Sequence, residues 1–245
     1  MSVVFVHGVP ETAALWDDLR GQLRRSDTIA LSLPGFGCPR PAGFAATKEA
    51  YVEWLIGELE RIGRPVDLVG HDWGGGFTLR VASLRPDLLR SWVSDAAGVG
   101  DVEFRWHEFA KIWQTAEAGE QFFRDQLALS IEERAGTFEG FGVPTKRARD
   151  LASRMDTTMA ESILELYRSA VDVGKEWAPG IRNIRTPGLV IVPGDDPFLA
   201  ADGAERTARS CDAQIARFER LGHWWPLQAP QRGAEELLRF WASLG

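Results

Sequence analysis

Cysteine and tyrosine are scarce in this chain, which has only two of each among its 245 residues. Cys38 and Cys211 lie far apart and show no metal-ligand spacing. A disulfide framework is therefore excluded, and two lone thiols favour a reducing, cytoplasmic compartment. The sequence has no run of about 18 apolar residues, so we expect no membrane-spanning helix. The N-terminal segment lacks a charged leader, and we expect no signal peptide.

The chain also has fewer basic than acidic residues. Lys and Arg number 28 against 35 Asp and Glu, which gives a formal net charge of −7. Proteins that bind duplexes usually carry a basic stripe, so we expect no nucleic-acid partner. The length and the 44% hydrophobic content fit one well-cored domain that can carry an insert. Because the sequence has neither a metal-ligand cluster nor a dinucleotide-binding glycine loop, no metal and no cofactor are expected.

Short β-rich apolar runs alternate with longer amphipathic segments, which is typical of parallel βαβ construction. The pattern predicts an α/β fold with a mostly parallel sheet of about six strands flanked by helices. The predicted strands are Val3–Val6, Thr28–Leu33, Val66–Val69, Ser91–Ser94, Gly188–Val192 and Ala213–Phe218. The clearest helical patterns in this part of the chain are Lys48–Ile62, Phe77–Leu84 and Ala234–Leu244.

One long interval interrupts this alternation. Between residues 98 and 183 the pattern contains no strand, and helical periodicity appears instead. We expect a helical lid over the strand ends, where open parallel sheets bind ligands. The predicted core comprises residues 1–97 and 184–245. The predicted lid helices are Phe104–Ala116, Glu120–Leu129, Thr145–Arg154 and Met159–Val171, with interruptions at Gly136, Gly140, Gly142 and Pro144.

The most informative motif is VGHDWGG at residues 69–75, which follows a predicted strand and precedes a predicted helix. This is the position of the nucleophile elbow G-x-S-x-G, with Asp72 where serine usually stands. Gly70 and Gly74 suit a turn that is too tight for flanking side chains. The alternative interpretation is a plain strand-to-helix turn in which Asp72 caps the helix.

Three further segments follow predicted strands. His7–Pro10 comes directly after the first strand, and Asp195 and Asp196 come after the fifth. His223 lies between the last strand and the last helix. Taken singly, these segments could be a glycine turn, a solvated acidic turn and a structural histidine. Together they give the order nucleophile, acid, histidine, which is the order of α/β-hydrolases.

On these motifs the whole chain resembles the α/β-hydrolase superfamily. The H-G-x-P loop and the H-D-W-G elbow resemble the branch with an aspartate nucleophile, the epoxide hydrolases and haloalkane dehalogenases. The resemblance implies Asp72 as nucleophile, His223 as base and Asp196 as the acid, with Asp195 as its competitor. It also implies an oxyanion hole formed by the backbone N–H groups of Val9 and Trp73. The chain opens at the third strand of the family, so we expect the usual first two strands to be absent.

Leaving-group stabilisation separates the two sister activities. Opening an epoxide produces an alkoxide, and the family supplies lid tyrosines, often two, to protonate it. This lid contains one tyrosine, Tyr167, with His107 as a substitute donor. The alternatives are that Tyr167 only packs within the lid and that His107 is a surface histidine.

Expelling a halide instead needs two N–H donors. Trp73 matches the first halide-binding tryptophan of the dehalogenases, and Trp106 or Trp113 could supply the second donor. The asparagine that many dehalogenases carry in the H-G-N-P loop is replaced by Val9.

The lid is apolar and aromatic, which predicts a small hydrophobic substrate. The sequence therefore favours an epoxide hydrolase, with a haloalkane dehalogenase as the alternative. Further alternatives are an esterase-like hydrolase, hydrolysis of a C–C bond, and a non-catalytic ligand-binding protein of this fold.

Overall fold

A computed structural model describes residues 2–245, and its core is a six-stranded sheet. The strands are β1 (Val3–Val6), β2 (Thr28–Leu31), β3 (Val66–Gly70), β4 (Leu89–Ser94), β5 (Gly188–Pro193) and β6 (Gln214–Phe218). Their order is β2-β1-β3-β4-β5-β6, and each neighbouring pair runs parallel. The predicted parallel six-stranded sheet is confirmed.

Helices connect the strands and cover the sheet. They are α1 (Asp17–Leu23), α2 (Lys48–Ile62), α3 (Trp73–Leu84), α4 (Glu108–Gln114), α5 (Ala118–Ala128), α6 (Ile131–Gly140), α7 (Thr145–Arg154), α8 (Thr157–Ser169), α9 (Val173–Ile181), α10 (Ala201–Ser210), α11 (Trp225–Gln228) and α12 (Pro230–Ala242). Within residues 2–245, none of these helices combines the length and the apolar character that crossing a membrane requires.

Both faces of the sheet are buried. Because successive strand residues point to opposite faces, Val4 and Val6 pack into the core beneath α2 and α3, whereas Val3 and Phe5 pack beneath α1 and α12. A sheet covered on both faces explains why its strands are continuous apolar runs in the sequence. It also leaves the carboxyl edge of the sheet as the place where polar side chains gather.

The register aligns three strand ends at that edge. Val6 pairs with Gly70, and Gly70 pairs with Ser94. The residues that follow these strands, His7, His71 and Asp95, therefore leave the sheet side by side. This alignment is the reason that segments far apart in sequence can build one site.

A helical lid, α4–α9, follows β4 as predicted. The predicted interruption at Gly136 is wrong, because this glycine lies inside α6, whereas the helix does end at Gly140. A capping box between Ser130 and Glu133 stabilises the start of this helix, which offsets the poor helix propensity of glycine. Helix α9, which the sequence pattern did not predict, contains Pro179 near its C-terminal end.

Ion pairs fasten the lid to the core on two sides. Arg40, in the loop after β2, donates to Glu165 of α8, with one N–O distance of 2.9 Å. Arg147 of α7 donates to Asp18 of α1, with one N–O distance of 2.8 Å. Both arginines bind through two nitrogens, a geometry that fixes orientation better than a single contact does.

Candidate active site

Asp72 lies in the turn between β3 and α3, with φ 51° and ψ −123°. A positive φ is uncommon for a residue other than glycine, and strain of this kind concentrates at functional turns. The Asp72 side chain makes no capping hydrogen bond to α3, which argues against the helix-capping interpretation. Its backbone N–H donates to Oδ1 of Asp95 at 2.8 Å, and its carboxylate faces the cavity under the lid.

Two glycines make this turn possible by close approach. A Cβ atom on Gly70 would lie 2.2 Å from the carbonyl oxygen of Gly74, and one on Gly74 would lie 2.2 Å from that of Val6. No side chain fits at either distance. The turn thus holds the start of α3 directly against the ends of β1 and β3, as a nucleophile elbow requires.

The loop after β1 contributes an N–H group to the Asp72 carboxylate. The backbone N–H of Val9 donates to Oδ1 of Asp72 at 2.9 Å. Trp73 is the first residue of α3, and amides in the first turn of a helix have no acceptor within the helix. Of the two predicted oxyanion-hole residues, Val9 thus contacts the Asp72 carboxylate through its N–H, and Trp73 follows Asp72 directly in the chain.

His223 lies beside this carboxylate, with 3.8 Å between its Nε2 and Oδ2 of Asp72. Its Nδ1 is hydrogen-bonded to Oδ2 of Asp196 at 2.8 Å. The other oxygen of Asp196 accepts the backbone N–H groups of Phe198 and Leu199, which fixes the carboxylate in the loop. Asp195, the competing acid, is exposed to solvent.

Burial sets the protonation behaviour of the pair. It raises the pKa of Asp72 to about 6, against the opposing attraction of His223. Burial also lowers the pKa of His223, but the Asp196 carboxylate outweighs it and raises that pKa above its ordinary value. At neutral pH an ionised Asp72 thus faces an imidazole that Asp196 makes more basic.

A cavity of about 250 Å³ joins these groups to the lid. Asp72 and His223 line one part of it, and Tyr167, His107 and Trp113 line the lid side. The rest of the wall is mostly apolar and aromatic: Phe109, Phe122, Phe123, Phe138, Phe141, Phe198 and Trp224. Such a lining suits an apolar substrate with a few polar contacts at its reacting end.

Two neutral side chains of the cavity wall carry a proton. Burial, and then the negative charge of Asp72, raise the pKa of Tyr167 well above its usual value, so its hydroxyl stays protonated. Burial lowers the pKa of His107 to about 4, which keeps this imidazole neutral. Its Nδ1 accepts the backbone N–H of Ala110 at 3.2 Å, so the proton is on Nε2.

The candidate halide-binding tryptophans differ in whether their indole N–H already donates a hydrogen bond. Trp106 donates to the carbonyl oxygen of Ala170 at 2.9 Å, so its N–H is already engaged. Trp106 also does not belong to the cavity wall. The N–H of Trp113 is buried without a hydrogen-bond partner among residues 2–245, whereas the equally buried N–H of Trp73 faces the Tyr167 hydroxyl without an ordinary hydrogen-bond geometry. Of the two lid tryptophans proposed for a halide, the geometry thus favours Trp113.

Comparison with known proteins agrees with this geometry. The model of the alpha/beta hydrolase family matches residues 3–236. The chain belongs to that family. It is a hydrolase whose six-stranded core and helical insertion after β4 follow the family fold.

The relatives of this hydrolase act on different substrates. It is 27% identical to 2-hydroxy-6-oxo-2,4-heptadienoate hydrolase of Pseudomonas putida, over 91% of this chain and 82% of that one. Epoxide hydrolase 2 of Siraitia grosvenorii is 36% identical over 38% of this chain and 31% of its own length. A solved epoxide hydrolase from Bacillus megaterium superposes with a TM-score of 0.80 at 19% identity, covering 98% of this chain and 93% of that one. Haloalkane dehalogenases and an esterase share the fold too, so the fold does not decide the substrate.

Sequence reasoning missed one group of buried polar residues in this hydrolase. Glu11, His71 and Asp95 lie behind the elbow, and His71 is hydrogen-bonded to both carboxylates. A signal was present for Asp95, because it follows β4 at the edge where the other polar residues leave the sheet. Glu11 gave no such signal, since nothing in the sequence distinguishes it from a solvated loop carboxylate.

Proposed function

We propose that this hydrolase opens hydrophobic epoxides to diols through an ester on Asp72. The observation that carries the proposal is a single cavity lined by Asp72, His223 and Tyr167, in which His223 is hydrogen-bonded to Asp196 behind the wall. A carboxylate attacks carbonyl carbons poorly, but it displaces a leaving group from an sp³ carbon. An apolar aromatic wall around these groups suits a substrate whose only polar atom is the epoxide oxygen.

In the first step, Oδ2 of Asp72 attacks one epoxide carbon and forms a C–O ester bond. The bond between that carbon and the epoxide oxygen breaks, and its electron pair stays on the oxygen. Tyr167 donates its proton to the resulting alkoxide, with His107 as the alternative donor. Both side chains are neutral and carry a proton, as this role requires.

In the second step, His223 takes a proton from water, and the hydroxide attacks the carboxyl carbon of Asp72. Negative charge then develops on Oδ1, the oxygen that already accepts the N–H of Val9 at 2.9 Å. The N–H of Trp73 is the second donor in this proposal, and loss of one such donor typically costs about 3 kcal/mol in barrier. Collapse of the intermediate breaks the ester C–O bond, and the leaving alkoxide takes the proton of the newly added hydroxyl group, which completes the diol and leaves Asp72 ionised. The proton on His223 then passes through water to the Tyr167 phenolate, which restores both groups.

The proposal is tested first with two substrates. We expect the enzyme to convert an aryl epoxide such as styrene oxide to its diol, and to release little bromide from a bromoalkane of similar size. Diol is measured by chromatography, and bromide by ion chromatography. Rapid bromide release without diol formation would instead support the dehalogenase described below.

Changing Tyr167 to phenylalanine should slow epoxide opening at least about tenfold, or 1.4 kcal/mol in barrier. The substitution removes the proton donor and little else, because the ring remains. Single-turnover kinetics of ester formation measure the effect. Tyr51→Phe is the matched control: Tyr51 donates to the carbonyl oxygen of Pro34 in the core, and its loss should leave the opening rate unchanged. A wild-type rate for Tyr167→Phe would transfer the donor role to His107.

The pH profile tests the role of His223. Hydrolysis of the ester needs neutral His223, so kcat should fall as pH decreases through the pKa of this imidazole. Because Asp196 raises that pKa above 6.5, the midpoint of the fall should lie above 6.5. Asp196→Asn removes the negative charge and should shift the midpoint to lower pH, whereas Asp195→Asn should not. An unchanged midpoint in Asp196→Asn would contradict the assignment.

Haloalkane dehalogenation is the second candidate. It is favoured by the N–H of Trp113, which is buried in the cavity wall without a hydrogen-bond partner among residues 2–245, with the N–H of Trp73 as the second donor. A weakly hydrated halide leaving from carbon would accept both. In that case Trp113→Phe should abolish bromide release while leaving any epoxide opening intact, which separates the two activities in one variant.

A further inference from the structure

A buried chain of three ionisable side chains lies behind the elbow. Nε2 of His71 is 3.1 Å from Oε1 of Glu11, and Nδ1 of His71 is 2.5 Å from Oδ2 of Asp95. Glu11 and His71 are fully buried, and Asp95 is 2% exposed. The reaction proposed above assigns no step to any of the three.

The carboxylates at the two ends of this series, Glu11 and Asp95, each accept a backbone N–H group of the site. The second oxygen of Glu11 accepts the N–H of Gly8 at 3.1 Å, and Oδ1 of Asp95 accepts the N–H of Asp72 at 2.8 Å. The indole of Trp225 also donates to Asp95, at 2.6 Å. One continuous path of hydrogen bonds thus links the loop after β1 to the elbow.

The electrostatics favour a charged centre for this path. Burial by itself lowers the pKa of His71, but the carboxylates of Asp95 and Glu11 outweigh it and raise that pKa well above its usual value. A protonated imidazole donates one N–H to each carboxylate, so one positive charge lies between two negative charges in the core. The His71 ring also lies 4.8 Å from that of His223, whose pKa its positive charge lowers.

We propose that His71, bridging Glu11 and Asp95, is a positioning residue that aims the Val9 N–H at Oδ1 of Asp72 for hydrolysis of the ester. The inference rests on the proposed ester mechanism. Glu11 accepts the N–H of Gly8 and so fixes that peptide group. The next N–H along the backbone is that of Val9. Negative charge leaves Oδ1 when the ester forms and returns when water attacks. The orientation of the Val9 N–H towards Oδ1 therefore matters most in the second step.

The experiment separates the two steps in Glu11 variants. Glu11→Met removes the acceptor and preserves the volume, whereas Glu11→Gln keeps an oxygen for the Gly8 N–H. Rapid quench with styrene oxide and intact-mass spectrometry give the rates of ester formation and hydrolysis. In Glu11→Met we expect hydrolysis to slow at least about tenfold and ester formation to change less than about threefold, so that ester accumulates. Glu11→Gln should restore most of the hydrolysis rate, and Glu53→Gln, a control at an exposed position of α2, should alter neither step.

Other outcomes overturn the proposal. Equal slowing of both steps, or no slowing, would contradict the positioning role while leaving the ester mechanism standing. Absence of any ester in the wild type and in His223→Gln would overturn the mechanism and the positioning role together.

Nitrogen NMR of His71 gives an independent readout: both ring nitrogens should carry protons at pH 7 in the wild type, and a ring with one protonated nitrogen would contradict the bridge. If Glu11→Met does not fold, the NMR measurement on the wild type remains the test that can contradict the bridge.

Discussion

Asp72→Asn should abolish turnover while leaving the circular dichroism spectrum unchanged. The amide is not nucleophilic, so no ester forms, and removal of a nucleophile of this kind typically lowers kcat by at least about 10⁴-fold. The fold should tolerate the change, because asparagine is among the residues that adopt a positive φ most readily. Its side-chain oxygen can also still accept the N–H of Val9. Initial rates with an aryl epoxide measure the effect.

The matched control for this variant is Asp195→Asn, which removes the exposed carboxylate next to Asp196. It should retain the wild-type rate. Asparagine in a strained turn can deamidate back to aspartate, so the Asp72→Asn protein is assayed freshly purified and its mass is checked. Full activity without detectable deamidation would exclude Asp72 as the nucleophile.

His223→Gln should trap the enzyme as its ester. Without the base, water is not activated, whereas attack by Asp72 still proceeds. Exposure to an aryl epoxide should therefore add the mass of the whole epoxide to the protein, up to one per chain. A bromoalkane adduct would instead weigh the bromoalkane less HBr, which would indicate dehalogenation. Peptide mapping should locate either adduct on Asp72.

The control for trapping is the double variant Asp72→Asn with His223→Gln, which should gain no mass. An adduct on the double variant would show that another side chain reacts. Failure of the single variant to gain mass with either probe would contradict the ester mechanism and would direct attention to carbonyl substrates or to a binding role.

The sheet and the cluster of site residues were accessible from the sequence for a physical reason. Strands of a doubly covered parallel sheet are continuous apolar runs, and helix α2 was predicted to the residue because its apolar spacing is regular and Gly63 ends it. Asp72, Asp196 and His223 each follow a strand, so their meeting at one edge follows from topology alone. Their catalytic roles, and the boundaries of the lid at residues 98 and 183, stay predictions.

The remaining features depend on packing that a pattern does not encode. Helix α6 forms despite two glycines because a capping box starts it, and α9 forms despite Pro179. The partner of the Trp106 N–H is a carbonyl group 64 residues away in sequence. The contact that gives Glu11 a role in the site is its hydrogen bond to His71, which lies 60 residues further along the chain.

The ion pairs that fasten the lid to the core bear on how product leaves. Arg40 and Arg147 anchor α8 and α7 from opposite parts of the core, so swinging the lid open as one body would break both pairs at once. We therefore expect exchange with solvent to occur past individual side chains at the rim, where Phe109 is 38% exposed. Under the proposed mechanism the product therefore leaves through gaps between aromatic side chains and not through an opened lid, so we expect bulky products to leave more slowly than small ones.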